Sequence, residues 1–382
     1  MFQLLPQVPR YWMFRRFGWP KVMPVNVAVS IISTCNSRCL TCNIWAEHTP
    51  GEGQDLTVEE FDKIFQSLGK TPYWFTVSGG EPFMRKDIVD ICKSIYDRCR
   101  PAQINIPTNS LVWRPIAERV AAIADYCSES ELVINLSLDG VGEKHDELRG
   151  IKGNFDKVML VYEQLRALKR PNLTVGVHSV ISNFNIDHFP TLHDFVVNEM
   201  KPDSFISEIA EERVELGTIG TGITPKRDAY ANAVDRLIES SAMHAHEGRS
   251  KVIQAFRRKY YDLVKRYLER EAQAVPCYAG WASTHIAPNG DVWTCAVRAE
   301  PIANLRDYDY DFKRIWFGHE ASPLRRSIKR GECACPLANA AYTSMLMSPS
   351  TMLDVGANMW QEKRKEVRRG SVSGSTAPVR RN

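Results

Sequence analysis

The chain has 382 residues, too many for one small core and enough for two folded units with tails. Its composition is that of a globular protein, 44% hydrophobic and 25% charged. It has no 18-residue apolar run to span a membrane and no signal-peptide pattern in the first 24 residues. The net charge of +4 is unevenly placed. Arg10, Arg15, Arg16 and Lys21 lie near the start, and Lys363, Arg364, Lys365, Arg368, Arg369, Arg380 and Arg381 face only Glu366 near the end. The body between is mildly acidic, which argues against a nucleic-acid-binding core.

Residues 1–24 form a basic, aromatic arm in which Phe2, Tyr11, Trp12, Phe14, Phe17 and Trp19 interleave with the four cations. Such an arm suits peripheral contact with a membrane interface, or packing across the rest of the protein. Residues 25–215 alternate strand and helix patterns. The strands are expected at Val25–Ser33, Trp74–Ser78, Gln103–Pro107, Leu132–Leu138, Leu173–Ile181 and Ser204–Glu208. Thr57 with Glu60 is a capping box, and Phe155–Lys169 has helical spacing. Six strands each followed by a helix give an α/β fold with a parallel sheet, an open or closed barrel whose chemistry gathers at the C-terminal rim. Residues 216–275 read as a linker with helices, and 276–345 as a small unit with a β-hairpin turning at Asn289-Gly290. Residues 346–382 read as a tail, disordered at its Ser/Gly-rich end from Gly370 to Asn382.

Seven of the ten cysteines fall in two groups, and clustered thiols without a secretion signal suggest metal ligation in the cytoplasm before disulfides. Cys92, Cys99 and Cys127 stand alone and read as buried small hydrophobes. Cys35, Cys39 and Cys42 follow the first strand. Three thiolates on one loop can hold three irons of a [4Fe–4S] cube and leave the fourth open, and the spacing by itself also suits zinc.

Other motifs accompany that loop. Cys35-Asn36-Ser37-Arg38-Cys39-Leu40-Thr41-Cys42, Ser78-Gly79-Gly80-Glu81-Pro82, Thr108-Asn109 and Ser137-Leu138-Asp139-Gly140 are followed by His145, Arg149, Gly153 and Phe155. In order and spacing the set resembles the radical S-adenosylmethionine (SAM) superfamily over about residues 25–210. The resemblance implies a partial (β/α)6 TIM-type barrel, a SAM-binding [4Fe–4S] cluster and a low-potential electron donor such as flavodoxin or ferredoxin. It implies catalytic and metal-binding roles for Cys35, Cys39 and Cys42. Gly79, Gly80 and Glu81 would receive the methionyl amine, and Asn109 and Ser137 the ribose or carboxylate. Arg149 would be a carboxylate partner, with a surface helix-capping arginine as the alternative. Thr41 departs from the family's usual aromatic before the third cysteine, so Trp45 is the candidate adenine wall.

Cys277, Gly290 and Cys295 look like the start of the superfamily's auxiliary-cluster domains, SPASM and its truncated form twitch. A full SPASM domain has seven cysteines. The four here imply one auxiliary [4Fe–4S] cluster on Cys277, Cys295, Cys333 and Cys335; three ligands with an open iron, or a structural zinc, are the alternatives. His178 and His285 read as satisfied polar residues rather than catalysts, and Glu208, Glu211 and Glu212 at the barrel mouth read either as a solvated acidic loop or as including a group that binds SAM or substrate. The implied activity is SAM cleavage to a 5′-deoxyadenosyl radical that takes hydrogen from an organic substrate. A small metabolite, sugar or lipid is favoured by the arm and by the few residues before the first strand, too few for a peptide-recognition domain. A peptide or protein maturase is the alternative, and a structural Fe–S or zinc protein the non-enzymatic one.

Overall fold

The structure is a computed structural model that describes residues 2–47, 55–243 and 249–357. The expectation of disorder from Gly370 to Asn382 lies outside the described residues.

Six parallel strands, β1 (Asn26–Ser30), β2 (Trp74–Ser78), β3 (Gln103–Thr108), β4 (Glu131–Ser137), β5 (Leu173–Ile181) and β6 (Ser204–Ile209), pair in sequence order. The intervening helices begin with α1 (Val8–Phe17), before β1, and the short α2 (Ile44–Glu47). They continue with α3 (Val58–Leu68), α4 (Ile88–Cys99), α5 (Trp113–Tyr126), α6 (Glu143–Arg149), α7 (Asn154–Ala167) and α8 (Phe189–Phe195). Strand residues such as Ile104, Ile106, Leu132, Ile134, Val175 and Val177 are buried, as are Phe61, Ile64 and Phe65 of α3. Each such burial stabilises the fold by roughly 1.5–3 kcal/mol. β1 is buried along its whole length, the pattern of a strand covered on both sides. Cys92, Cys99 and Cys127 are buried as expected.

After β6 come α9 (Arg227–Met243) and α10 (Arg249–Arg270), then β7 (Ser283–Ile286), β8 (Asp291–Trp293) and β9 (Pro301–Asn304). β7 and β8 form the expected antiparallel hairpin, with Gly290 supplying the positive φ of +94° that its turn needs. The hairpin is not a separate layer. β7 lies parallel to β1, so the nine strands make one sheet in the order β6-β5-β4-β3-β2-β1-β7-β8-β9. An open six-stranded barrel leaves one edge of β1 bare, and β7 supplies the missing backbone partners. Three short helices, α11 (Phe312–Phe317), α12 (Ala321–Arg330) and α13 (Ala338–Met347), close this end.

The N-terminal arm packs on the C-terminal part of the chain. Tyr11 and Phe14 of α1 are buried, Lys21 Nζ donates to the Phe317 carbonyl, and Trp316 Nε1 donates to that of Val22. Arg15 Nε donates to the Cys277 carbonyl at 2.9 Å, its guanidinium lying over the Tyr278 and Trp281 rings. Trp12, Phe17 and Trp19 remain exposed. Among the described residues, no helix is long and apolar enough to cross a membrane.

The capping box also ties α3 to the segment after β9. The Thr57 hydroxyl accepts from the Glu60 N–H, and Glu60 accepts from the Thr57 N–H. Glu60 further accepts from Arg306 Nε at 2.8 Å and Tyr310 OH at 2.7 Å. The Arg306 hydrogen bond is the main cause holding the Glu60 carboxyl down at about 2. A depressed folded-state value gives stability that is present above the ordinary value of 4.5 and lost as pH falls toward 2. Glu60→Gln is therefore expected to cost about 1 kcal/mol at pH 7 in chemical denaturation. The gap from the parent should narrow as pH falls from about 4.5 to about 2.

Candidate active site

Parallel pairing brings the C-terminal ends of β1 to β6 to one rim, where the cysteine loop is tied to its neighbours by backbone. Gly80 N–H donates to the Ile32 carbonyl at 2.9 Å, and Glu81 N–H to that of Thr34 at 3.1 Å. Arg38 N–H donates to the Arg149 carbonyl, Leu40 N–H to that of Leu148, and Asn43 N–H to that of Leu216. Gly79, at φ +133°, and Gly80 are needed for this approach. A Cβ on Gly79 would lie 2.3 Å from the Ile32 carbonyl oxygen, and one on Gly80 only 1.9 Å from that of Thr34. The paired glycines thus admit the cysteine loop itself, a role that the motif alone does not reveal.

Glu81 lies beneath the site. Its fully buried carboxylate accepts from Asn109 N–H (2.7 Å), Phe83 N–H (3.0 Å) and the Thr108 hydroxyl (2.8 Å), locking the β2 loop to the β3 loop. Burial pushes this carboxyl up to about 7 against those three donors. Through these three bonds Glu81 holds the loops of the site together. The Asn109 side-chain amide donates to Asn36 at 2.8 Å and reaches Cys35 Sγ at 3.7 Å.

Arg149 is buried, which removes the surface-cap alternative. Its Nη2 pairs with Asp139 at 2.8 Å, its Nη1 donates to Cys39 Sγ at 3.5 Å, and its Nε is buried without a partner. Ser137 sits half-buried at the end of β4, in register with His178 on β5. Trp45 is 39% exposed and carries the Arg38 guanidinium over its ring at 5.7 Å.

The loop after β6 is not a solvated acidic segment. Glu212 accepts from the N–H groups of Gly220 and Gly222. Arg213 is extended and Val214–Leu216 is a single 3-10 turn that leaves Val214 53% exposed. Arg213 pairs with Glu211 and Glu215, Glu215 with His285, and His285 with Ser30. The segment is tied at one end to Asn43, next to Cys42, and Val214 N–H donates to the Val297 carbonyl, two residues from Cys295. This strip of acid, base and acid therefore runs between the two cysteine groups. Burial pushes the Glu211 carboxyl up to about 8, and its Oε2 is buried without a partner. His178 and Glu208, discounted singly in the sequence, form an ion pair at 3.3 Å. Burial works to lower the imidazole, but the Glu208 carboxylate outweighs it and raises it.

Cys277, Cys295, Cys333 and Cys335 all line one cavity, walled by Tyr260, Leu263 and Tyr267 of α10 and by Ala340 and Ser344 of α13. Burial pushes the Cys35 thiol up to about 11, and those of Cys42 and Cys277 to about 12. Such thiols ionise at neutral pH only when a metal displaces the proton. The surroundings are nonetheless made for thiolates: Ser37 N–H points at Cys35 Sγ and Ala279 N–H at Cys277 Sγ, both at 3.5 Å. Among the described residues, no group of three or more Cys, His, Asp or Glu side chains is placed to hold one metal ion. A cube asks for one thiolate per iron instead, a demand that suits three thiols with one iron left open, or four.

Comparison with known proteins agrees with this geometry. Residues 29–196 match the radical SAM superfamily, and residues 277–336 match SPASM, an iron–sulfur cluster-binding domain. The chain belongs to the radical SAM superfamily. Membership brings a [4Fe–4S] cluster and SAM, and the SPASM match brings auxiliary iron–sulfur ligation. This radical SAM chain is 29% identical over 172 residues to the Fe-coproporphyrin III synthase of Methanosarcina barkeri, covering 44% of itself and 40% of that protein. It is 23% identical over 279 residues to AlbA, the antilisterial bacteriocin subtilosin biosynthesis protein of Bacillus subtilis, covering 72% of itself and 55% of AlbA. It spans about half the length of these curated relatives. SuiB of Streptococcus suis, solved bound to S-adenosylmethionine, shares the fold with a TM-score of 0.60 at 15% identity, over 84% of this chain and 72% of SuiB.

Motif reading found the cysteines, the glycines, Glu81, Asn109 and Arg149. It missed Arg213 and Glu215, which belong to no motif and are recruited by the path of one loop.

Proposed function

We propose that this chain reductively cleaves SAM at a [4Fe–4S] cluster on Cys35, Cys39 and Cys42, and that the resulting 5′-deoxyadenosyl radical takes hydrogen from an organic substrate. The observation that carries this reading is the junction of the cysteine loop with the Gly79-Gly80-Glu81 loop, Asn109 and Arg149 on one rim. When bound, the cluster supplies the electron that breaks the sulfonium bond. The chain's own residues hold the site in shape. Asn109 and Arg149 direct N–H groups at Cys35 and Cys39, Asp139 fixes Arg149, and Glu81 locks the loops beneath. The unpartnered Arg149 Nε is a donor suited to a carboxylate such as that of SAM. The substrate is assigned to the space faced by Glu211, Arg213 and Glu215, between the two cysteine groups. The reducing electron is assigned to a small low-potential carrier of the flavodoxin or ferredoxin type.

A small metabolite remains the first reading of the substrate, in keeping with the similarity to the coproporphyrin enzyme. A peptide is the second, favoured by the longer match to the subtilosin protein. Anaerobic reconstitution followed by SAM and dithionite is expected to release 5′-deoxyadenosine, with none above background from Cys39→Ala. No release from the parent protein would overturn the reading. A peptide or metabolite that raises this release identifies the substrate class, and Glu211→Gln and Arg213→Gln are expected to lose the rise.

A further inference from the structure

The thiols of both groups receive hydrogen bonds in a shared way. A backbone N–H two residues further along the chain reaches the sulfur at 3.5 Å at both Cys35 and Cys277, donated by Ser37 and Ala279. Each group also has an arginine beside it: Arg149 donates to Cys39 Sγ, and Arg298 lines the same cavity as Cys277, Cys295, Cys333 and Cys335. Both arginines are anchored by a carboxylate. Arg149 pairs with Asp139, whereas Arg298 places Nε and Nη2 on the two oxygens of Glu300, each at 2.8 Å, and Nη1 on the Ser327 hydroxyl at 2.7 Å. A guanidinium held on three sides keeps its remaining N–H in a fixed direction, which a free surface arginine does not.

We propose that Arg298 is a positioning residue of the auxiliary centre, its fixed guanidinium lying in the cavity of the four tail thiols and thereby holding that centre's reduction potential up. The proposal rests on the reading that the four tail cysteines hold a cluster. Reduction adds negative charge to the cluster, and a fixed cation beside it stabilises the reduced form more than the oxidised one. The other charged groups facing these thiols are acidic: Glu300 and Glu332 act on Cys333, and Glu211 acts on Cys295 and Cys335. Removing Arg298 leaves those carboxylates uncompensated, so the potential falls. Arg149 is the arginine beside the other centre, so the two potentials are set by separate residues. Their difference sets the direction of electron flow between the centres.

The test is a stepwise dithionite titration of the full-length, reconstituted protein, read by electron paramagnetic resonance. Two signals are expected, and the one that changes on adding SAM identifies the Cys35–Cys39–Cys42 centre. Arg298→Gln is expected to lower the midpoint of the other signal and leave the SAM-responsive one in place. Arg298→Lys, which keeps the charge without the fork, should fall between Gln and the parent. An unmoved auxiliary midpoint in Arg298→Gln at parental iron content overturns the proposal, as does an equal movement of both signals. If the Gln variant loses auxiliary iron, the Lys variant decides, and a midpoint equal to the parent's overturns the proposal. Iron for one cluster and a single signal in the parent overturn the underlying reading of the tail cysteines instead.

Discussion

Gly80→Ala is expected to empty the Cys35–Cys39–Cys42 site while the tail cysteines keep their iron. The added Cβ would lie 1.9 Å from the Thr34 carbonyl oxygen, 2.3 Å from its carbon and 2.8 Å from the Cys35 nitrogen. All three are backbone atoms, which no rotamer change moves aside. Relief must come from parting the two loops, which breaks the bonds from Gly80 N–H to Ile32 and from Glu81 N–H to Thr34. Overpacking of this kind typically costs about 1–3 kcal/mol, and contact with backbone puts the cost at the upper end. More important, the loop that moves carries Cys35. Iron analysis of the reconstituted variant should find about half the parental content, with the auxiliary signal retained. Full iron in Gly80→Ala would show that the loop contact does not position the thiols.

The second large effect is expected from Arg149→Met. Asp139 has only 6% of its side chain exposed, with one oxygen on the Val180 N–H and the other on Arg149. Removing the cation leaves a buried carboxylate with half its partners. Breaking a buried pair from one side typically costs about 3–5 kcal/mol, much of it the penalty on the stranded charge. The double variant Arg149→Met/Asp139→Asn is therefore expected to be more stable than Arg149→Met alone in chemical denaturation. Equal stability of the two would mean that Asp139 bears no such penalty. Cys39 also loses its arginine donor in both variants, so SAM binding should stay impaired even where stability recovers.

Much of the barrel was legible because its signals are local. Leu173–Ile181 forms as expected from its β-branched run, Thr57 and Glu60 form their capping box, and Asn289-Gly290 turns the hairpin. The cysteine and glycine motifs lie on one rim because short βα loops leave parallel strands at the same end. Features that depend on distant pairing were not legible. Nothing in residues 283–286 shows that they will lie beside 26–29, and that pairing merges the tail hairpin with the barrel sheet. Nor does a Gly-Gly-Glu-Pro motif show that its glutamate accepts from Thr108 and Asn109. Arg213 and Arg298 carry no sequence signal, because arginines are common and only the path of the chain brings these two to cysteines.

The central claim is that the N-terminal triad holds a cluster with one iron open to SAM, distinct from the centre on the four tail cysteines. Electron paramagnetic resonance of the reduced, reconstituted protein before and after adding SAM tests it most directly. Two cluster signals are predicted, of which SAM changes one. The SAM-sensitive signal is predicted to vanish in Cys39→Ala, and the other in Cys333→Ala/Cys335→Ala. Two signals that both ignore SAM, or a protein that binds zinc and no iron at Cys35, Cys39 and Cys42, would contradict it.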